Sequence, residues 1–153
     1  MWATCKHKWF VFLAGLRTKT PIWQLIVHDL SKFTPTEAPG YGTQFFGKHD
    51  DPLGFSYAWN HHQKVNKHHW EHWVMVSGHA RGGYPDGSPL PMPERYAREM
   101  VADWLGAARA YEGRWPTTLK DWKWFNNNFE KIKVHKDTRF LLLCILATIG
   151  LKE

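Results

Sequence analysis

An all-α domain is predicted, on three observations. Pro and Gly cut the chain into segments of helical length, no stretch alternates apolar and polar residues with period two, and no internal repeat appears. The 153 residues have the size of one domain spanning 1–153, able to bury roughly two-thirds of its unfolded surface.

The first helix is expected over residues 3–17, closing near Arg17 and Lys19. A second starts at Pro21, a favourable first-turn residue, and should carry Ile22, Leu25 and Ile26 inward. His28 and Asp29 then stand at its C-terminal end. The stretch TPTEAPGYGTQFFGKHDDPLG, rich in Pro and Gly, reads as a long structured loop of the functional kind. A third helical region runs from about Phe55 to Ser77 and contains AWNHHQKVNKHHWEHW, and GHARGGYPDGSPLPMP follows as a second loop. The fourth helix opens with Pro93 and Glu94 and closes at Gly113, with Asp103 mid-helix, an uncommon place for Asp unless it points inward. Residues 117–134 and 137–151 complete a bundle of about six helices.

FLLLCILATIGL, residues 140–151, is too short for the roughly 20 residues that span a bilayer and reads as a buried terminal helix, so no membrane association is expected. At the N-terminus, Lys6, His7 and Lys8 precede only a short apolar stretch with no small-residue cleavage site, which predicts a cytoplasmic protein. Cys5 and Cys144 fit no zinc spacing and are expected to be buried thiols of a reducing compartment, without a disulfide.

The formal charge of +6 and pI near 9.4 favour partners that carry phosphate: a nucleotide, a nucleic acid or an anionic surface. Ten His and ten Trp are an excess for this length, and His is the commonest metal ligand. The His and Asp residues fall in a telling order: His7, then the pair His28-Asp29 in HDLSK, then Asp103.

That order resembles the HD superfamily of metal-dependent phosphohydrolases, all-helical enzymes named for the adjacent pair. The resemblance covers residues 7–103 and implies an HD-domain-like bundle in which His7, His28, Asp29 and Asp103 hold one divalent metal. Two-metal members of the superfamily carry further histidines between the pair and the last Asp, where this chain has HHQKVNKHHWEH. Ligands at i, i+4 on one helix can share a metal, whereas those at i, i+7 lie about 10 Å apart along the axis. His62 and His69 therefore meet only if Asn66 and Lys67 break the helix, and His68 with His72 is the alternative on an intact one. The favoured arrangement is His62 with His69 or His68, with Asp29 bridging two metals. His61 and His72 stay open between neighbours of the ligands and solvent-facing residues.

The whole chain is also similar to a family of uncharacterised proteins of phages and bacteria, through HDLSKF, AWNHHQKVNKHHW and EMVADW. That resemblance implies a phage-type protein of the host cytoplasm and brings no reaction with it.

Imidazole and carboxylate ligands suit Mn, Fe, Co, Ni or Zn. One or two such ions would acidify a bound water and polarise a phosphoryl oxygen. The expected function is metal-dependent hydrolysis of a nucleotide or related phosphate ester. Asp29, Lys32 and Glu37 are the candidate catalytic residues, Glu37 as an acid/base or as support behind the ligands. Lys32, Lys67, Arg95 and Arg98 are candidate phosphate contacts, and Tyr41 a contact to a base. Trp59, Trp70, Trp73 and Trp104 are expected to pack the core beside the ligands, with at most one stacking on a nucleobase. KDWKWFNNNFEKIKVHK reads as an amphipathic helix with a solvated basic face, in preference to a nucleic-acid surface. His49, His79 and His135 are expected at the surface. The competing classes are a binding protein that sequesters a nucleotide signal or host protein without turnover, a nucleic-acid-binding bundle, and a metal-dependent oxygenase.

Overall fold

The computed structural model of the chain describes residues 2–47, 51–76 and 85–152. Among them are seven α-helices and no strand: α1 (Trp2–Thr18), α2 (Ile22–Val27), α3 (Ala38–Phe46), α4 (Pro52–Val65), α5 (Glu94–Ala107), α6 (Lys123–Asn128) and α7 (Lys136–Thr148). Short 3-10 turns cover Leu30–Phe33, Trp70–Trp73 and Phe129–Lys131, and a π-helical turn, Ala108–Glu112, extends α5.

The central helix is α5. Ala97, Met100, Val101, Ala102, Trp104 and Leu105 are buried, so most of the helix beyond its first turn is covered. Val11 and Ala14 of α1 pack on it, and so do Leu142, Ile145 and Leu146 of α7. Trp122, Phe125 and Phe129 join the same core.

The crossing of α1 and α5 depends on Gly106. A Cβ there would stand 2.5 Å from Val11 Cγ2 and 2.7 Å from the Val11 backbone nitrogen. Only glycine lets the two backbones come this close. Gly106 lies one turn after Asp103, and Val11 one turn after His7, so this contact brings those two side chains together.

Several elements differ from the sequence reading. In α2 only Leu25 and Gln24 are buried, whereas Ile22 and Ile26 are each 59% exposed. A helix of under two turns has one face to pack, and the Leu25 side meets α1. The expected loop after Lys32 contains α3, with Pro39 in its first turn. Its Gly40 is not a turn residue. A Cβ on Gly40 would lie 2.7 Å from the Gly54 carbonyl oxygen and 2.8 Å from Ala58 Cβ, so the glycine lets α3 press against α4.

The third helical region is shorter than expected, because α4 stops at Val65 and the chain turns back at Asn66. In the segment 117–134 only α6 and one 3-10 turn are helical. The C-terminal helix α7 is amphipathic and not wholly buried, with Phe140 71% and Leu143 41% exposed. Cys5 and Cys144 are free and exposed, on the solvent faces of α1 and α7. His135 is partly buried and caps α7, its Nδ1 accepting from the Asp137 N–H at 3.2 Å. His49 and His79 lie outside the described residues. No helix among those described is long and apolar enough to cross a membrane.

Candidate metal centre

Asp29 is the centre of the site, and its backbone accounts for its placement. It adopts the left-handed region at φ 56° and ψ 21°, which Asp tolerates better than most L residues. The chain thereby turns sharply out of α2. Lys8 of α1 secures that turn, its Nζ donating to the carbonyls of Ile26 at 2.7 Å and His28 at 2.5 Å.

The two carboxylate oxygens of Asp29 face different neighbours. Oδ2 lies 2.5 Å from Lys32 Nζ, 3.5 Å from His28 Nε2 and 3.8 Å from His7 Nε2. Oδ1 lies 3.3 Å from His62 Nε2 and 3.4 Å from His68 Nε2. Asp103 Oδ1 completes the first group, 2.9 Å from His7 Nε2 and 3.5 Å from His28 Nε2. His69 completes the second, its ring 4.7 Å from that of His62. The ligand atoms of His7, His28, Asp29 and Asp103 lie within 4.8 Å of one another, as do those of Asp29, His62, His68 and His69.

The donor set fits a divalent ion in each group. Two atoms that share an ion at about 2.1 Å stand about 3.0 Å apart at octahedral angles and about 3.4 Å at tetrahedral ones. The imidazole–carboxylate pairs here stand 2.9 to 3.8 Å apart, and all ligand atoms of a group lie within 4.8 Å. The Nε2 atoms of His28, His62, His68 and His69, together with Asp29 Oδ1, are buried and have no hydrogen-bond partner among the described residues. Buried polar atoms call for partners; four of these five belong to the His62 group and His28 Nε2 to the His7 group, and a cation in each suits imidazole lone pairs and a carboxylate.

Carboxylates behind the rings hold them in that state. Glu99 Oε1 accepts from His28 Nδ1 at 3.0 Å and pairs with His68 Nδ1 at 3.3 Å, one ring from each group. Glu37 Oε2 accepts from His62 Nδ1 at 2.8 Å, and its Oε1 pairs with His61 Nδ1 at 2.7 Å. A proton kept on Nδ1 leaves the Nε2 lone pair free for a metal. Gln24 and Ser31 support the two glutamates in turn, donating to Glu99 Oε2 at 2.6 Å and to Glu37 Oε2 at 3.1 Å.

Asn66 provides the break that brings the second group together. Its Nδ2 donates to the His62 carbonyl at 2.9 Å and to Ser31 Oγ at 2.8 Å, closing α4 and tying it to the turn after Asp29. His68 and His69 then return beside His62. The alternative pairing of His68 with His72 on an intact helix does not form, because His72 Nδ1 turns away to the Lys64 carbonyl at 2.6 Å.

The electrostatics of the metal-free site follow from this crowding. Burial alone would raise the Asp29 carboxyl, yet His28, Lys32 and the facing rings of His62 and His68 hold it well below the usual range. Burial likewise opposes ionisation of Asp103, and His28 and His7 hold it far down. Glu99 is held to about 2 by His28 and His68 against its burial. His68 goes the other way: despite burial, Asp29 and Glu99 push it up to about 10. His69 is driven well below its ordinary value by burial and by the charge on His68. His68 is thus a ring that would have to release a proton before taking a metal.

Two cavities open onto the cluster. The smaller, about 230 Å³, is bounded by His7, Lys32, Tyr41, Asp103 and Tyr111 among others. The larger, about 550 Å³, has walls of Trp59, Trp70, Trp104, Trp122, Trp124 and Tyr111. His69, Asp103 and Tyr111 border both.

Of the candidate substrate contacts, Lys32 and Tyr41 line the smaller of these cavities, and Lys67, Arg95 and Arg98 line neither. Lys67 and Arg95 lie over the Tyr96 ring, 5.9 and 4.7 Å from its centroid. Arg98 is engaged elsewhere, donating to the Glu94 carboxylate and, at 2.6 Å, to the Thr18 carbonyl. Glu37, fully buried, lines neither of these cavities, and its carboxylate pairs with His61 and His62.

Glu99, Ser31, Gln24 and Asn66 were not singled out from the sequence as members of the site. Glu99 carried a signal, since in EMVADW it precedes Asp103 by one helical turn and shares its face. The cavity residues Trp122, Trp124 and Lys131 carried none beyond an amphipathic pattern.

No curated protein and no solved structure matches the chain. A family profile matches residues 1–148, and the chain belongs to that family, described as a family of unknown function (DUF5662).

Proposed function

We infer that the protein is an HD-type metal-dependent phosphohydrolase acting on a nucleotide or related phosphate ester. One observation carries the reading: two imidazole and carboxylate groups share Asp29, with Lys32 paired to the same carboxylate at the wall of a cavity. His7, His28, Asp29 and Asp103 would hold one divalent ion of the Mn, Fe, Co, Ni or Zn type, and Asp29, His62, His68 and His69 a second. When bound, such ions supply a Lewis acid and a water acidified toward neutral pH.

The chain's own residues supply the rest. Burial acts against the Lys32 ammonium, but Asp29 and Asp103 raise its pKa, so it stays charged and available to a phosphoryl oxygen. Burial, Asp29 and Glu37 raise the Tyr41 phenol, which therefore remains a donor at neutral pH. The Tyr41 hydroxyl is buried without a hydrogen-bond partner among the described residues and borders the same cavity as Lys32. Lys32 presents its ammonium to that cavity, with the Tyr41 ring centroid 5.2 Å from Nζ. The exposed free thiols Cys5 and Cys144 suit a reducing cytoplasm.

Elemental analysis of the purified protein, with Asp29→Ala as control and a screen of nucleotides and sugar phosphates for phosphate release, tests the reading. One or two equivalents of transition metal, lost with turnover in the variant, would support it. Metal and tight nucleotide binding without product would point to sequestration. No metal uptake after incubation with excess Mn or Ni would overturn the site itself.

A further inference from the structure

The metal centre uses one face of α2 and leaves the other bare. Leu25 is buried against α1 and Gln24 bonds to Glu99. Every exposed residue from Ile22 to Leu30 is apolar: Ile22, Trp23, Ile26, Val27 and Leu30 are each between 47% and 59% exposed. Ile22 and Ile26, like Trp23 and Val27, are four apart and stand side by side along the helix. Beyond the Asp29 turn, Leu30 and Phe33 are three apart on a 3-10 turn and share one side of it, with Phe33 39% exposed.

These six side chains expose roughly 650 Å² of apolar surface, more than the largest patch of an ordinary monomer and most of the ~800 Å² that each partner gives to a standard interface. No charged side chain interrupts the face of α2. The ammonium of Lys8 is turned to the Ile26 and His28 carbonyls, and that of Lys32 to Asp29, so these two cations are not offered to a lipid headgroup or a phosphate backbone. A face without charge asks for no opposite charge, and its best match is an equally apolar one. Six residues are also too few to hold a helix unaided, so α2 gains from cover on its second side.

We propose that this face is the centre of an isologous dimer interface, in which two copies of the chain pack α2 against α2 across a two-fold axis. Each copy covers the other's Trp23 and Ile26 and so braces the helix that ends in His28 and Asp29. The contact adds no ligand to the metal centre and stands apart from the phosphohydrolase reading.

Light scattering on the purified chain over a range of concentrations tests this. Wild type should have twice the 18.0 kDa of one chain. Trp23→Glu sets a carboxylate in each apposed face and should raise the dissociation constant at least about 30-fold, with helix content by circular dichroism unchanged because the side chain is already exposed. Ile26→Ser is the milder variant should Trp23→Glu fail to fold, and should weaken the dimer in the same direction. Phe140→Glu, on the exposed face of α7, should leave the dimer intact. A monomeric wild type up to its solubility limit would overturn the proposal, and one that also floats with phosphatidylglycerol vesicles would give the face to a lipid surface instead. A dimer that survives both α2 substitutions, or that only Phe140→Glu breaks, would place the contact elsewhere and equally overturn it.

Discussion

His7, His28 and Asp103 reach Asp29 from α1, the end of α2 and α5, whereas His62, His68 and His69 all come from residues 62–69. The first group is assembled by packing of helices far apart in the chain, and its geometry depends on the backbone contact at Gly106. The second is assembled by a local break at Asn66. Two halves of one site therefore rest on different kinds of structure and should fail separately.

Asp29 alone belongs to both halves, so Asp29→Ala should have the largest effect. All bound metal should be lost. The metal-free protein should also weaken by about 3–5 kcal/mol, because the buried cationic neighbours lose their counter-ion. Elemental analysis and urea unfolding check the two effects.

Gly106→Ala strikes the first half only. Its Cβ meets the Val11 backbone, which cannot yield as a flexible side chain could. A loss of about 1–3 kcal/mol is expected, with metal content falling to one equivalent held by the His62 group. Retention of both equivalents would show that α1 and α5 do not govern the His7 side.

Asn66→Ala is the mirror experiment. It removes the bonds to the His62 carbonyl and Ser31, costing about 1 kcal/mol, and should weaken the second equivalent of metal about 10–100-fold while sparing the first. Titration calorimetry separates the two.

Glutamate variants sharpen the contrast further. Glu99→Gln touches one ring in each half and should weaken both equivalents by a similar factor of about ten. Glu37→Gln touches His62 but no ring of the first half, and should weaken one.

The smallest effect is that of pH on the metal-free protein. His68 is raised to about 10 from an ordinary 6.5, so its contribution to stability is full below about 6.5 and is lost as pH rises toward 10. Glu99 is lowered to about 2 from 4.5, so its contribution is full above about 4.5 and is lost as pH falls toward 2. Urea midpoints in chelator should therefore be highest near pH 5–6. Metal displaces the same protons, so its affinity should climb with pH where the metal-free protein weakens.

Much of this was legible in the chain. The Pro93 and Glu94 onset and the Gly113 stop of the long helix are local chemistry, and α5 with its π-turn occupies those limits. Asp103 in a helix interior marked itself as inward-facing. The two conditional pairings of the histidines were also legible, but which one forms depended on whether Asn66 ends α4. Pro and Gly misled at α3, where Gly40 makes a helix contact and not a turn. The hydrophobic pattern of α2 misled at Ile22 and Ile26, because periodicity names a face but not the number of neighbours available to cover it.

The sequence by itself determined the helical class, the order of the His and Asp residues that could hold a metal, and the rule that His62 could meet His69 only across a break. Tertiary structure decided that Glu99 serves both halves, that Glu37 stands behind the ligands, that Arg95 and Arg98 face elsewhere, and that six aromatic side chains from distant segments surround one cavity. The physical reason is range. Capping, propensity and helical spacing act within a turn or two, while these decisions require backbones from distant segments to approach within ångströms of one another, as α1 and α5 do at Gly106.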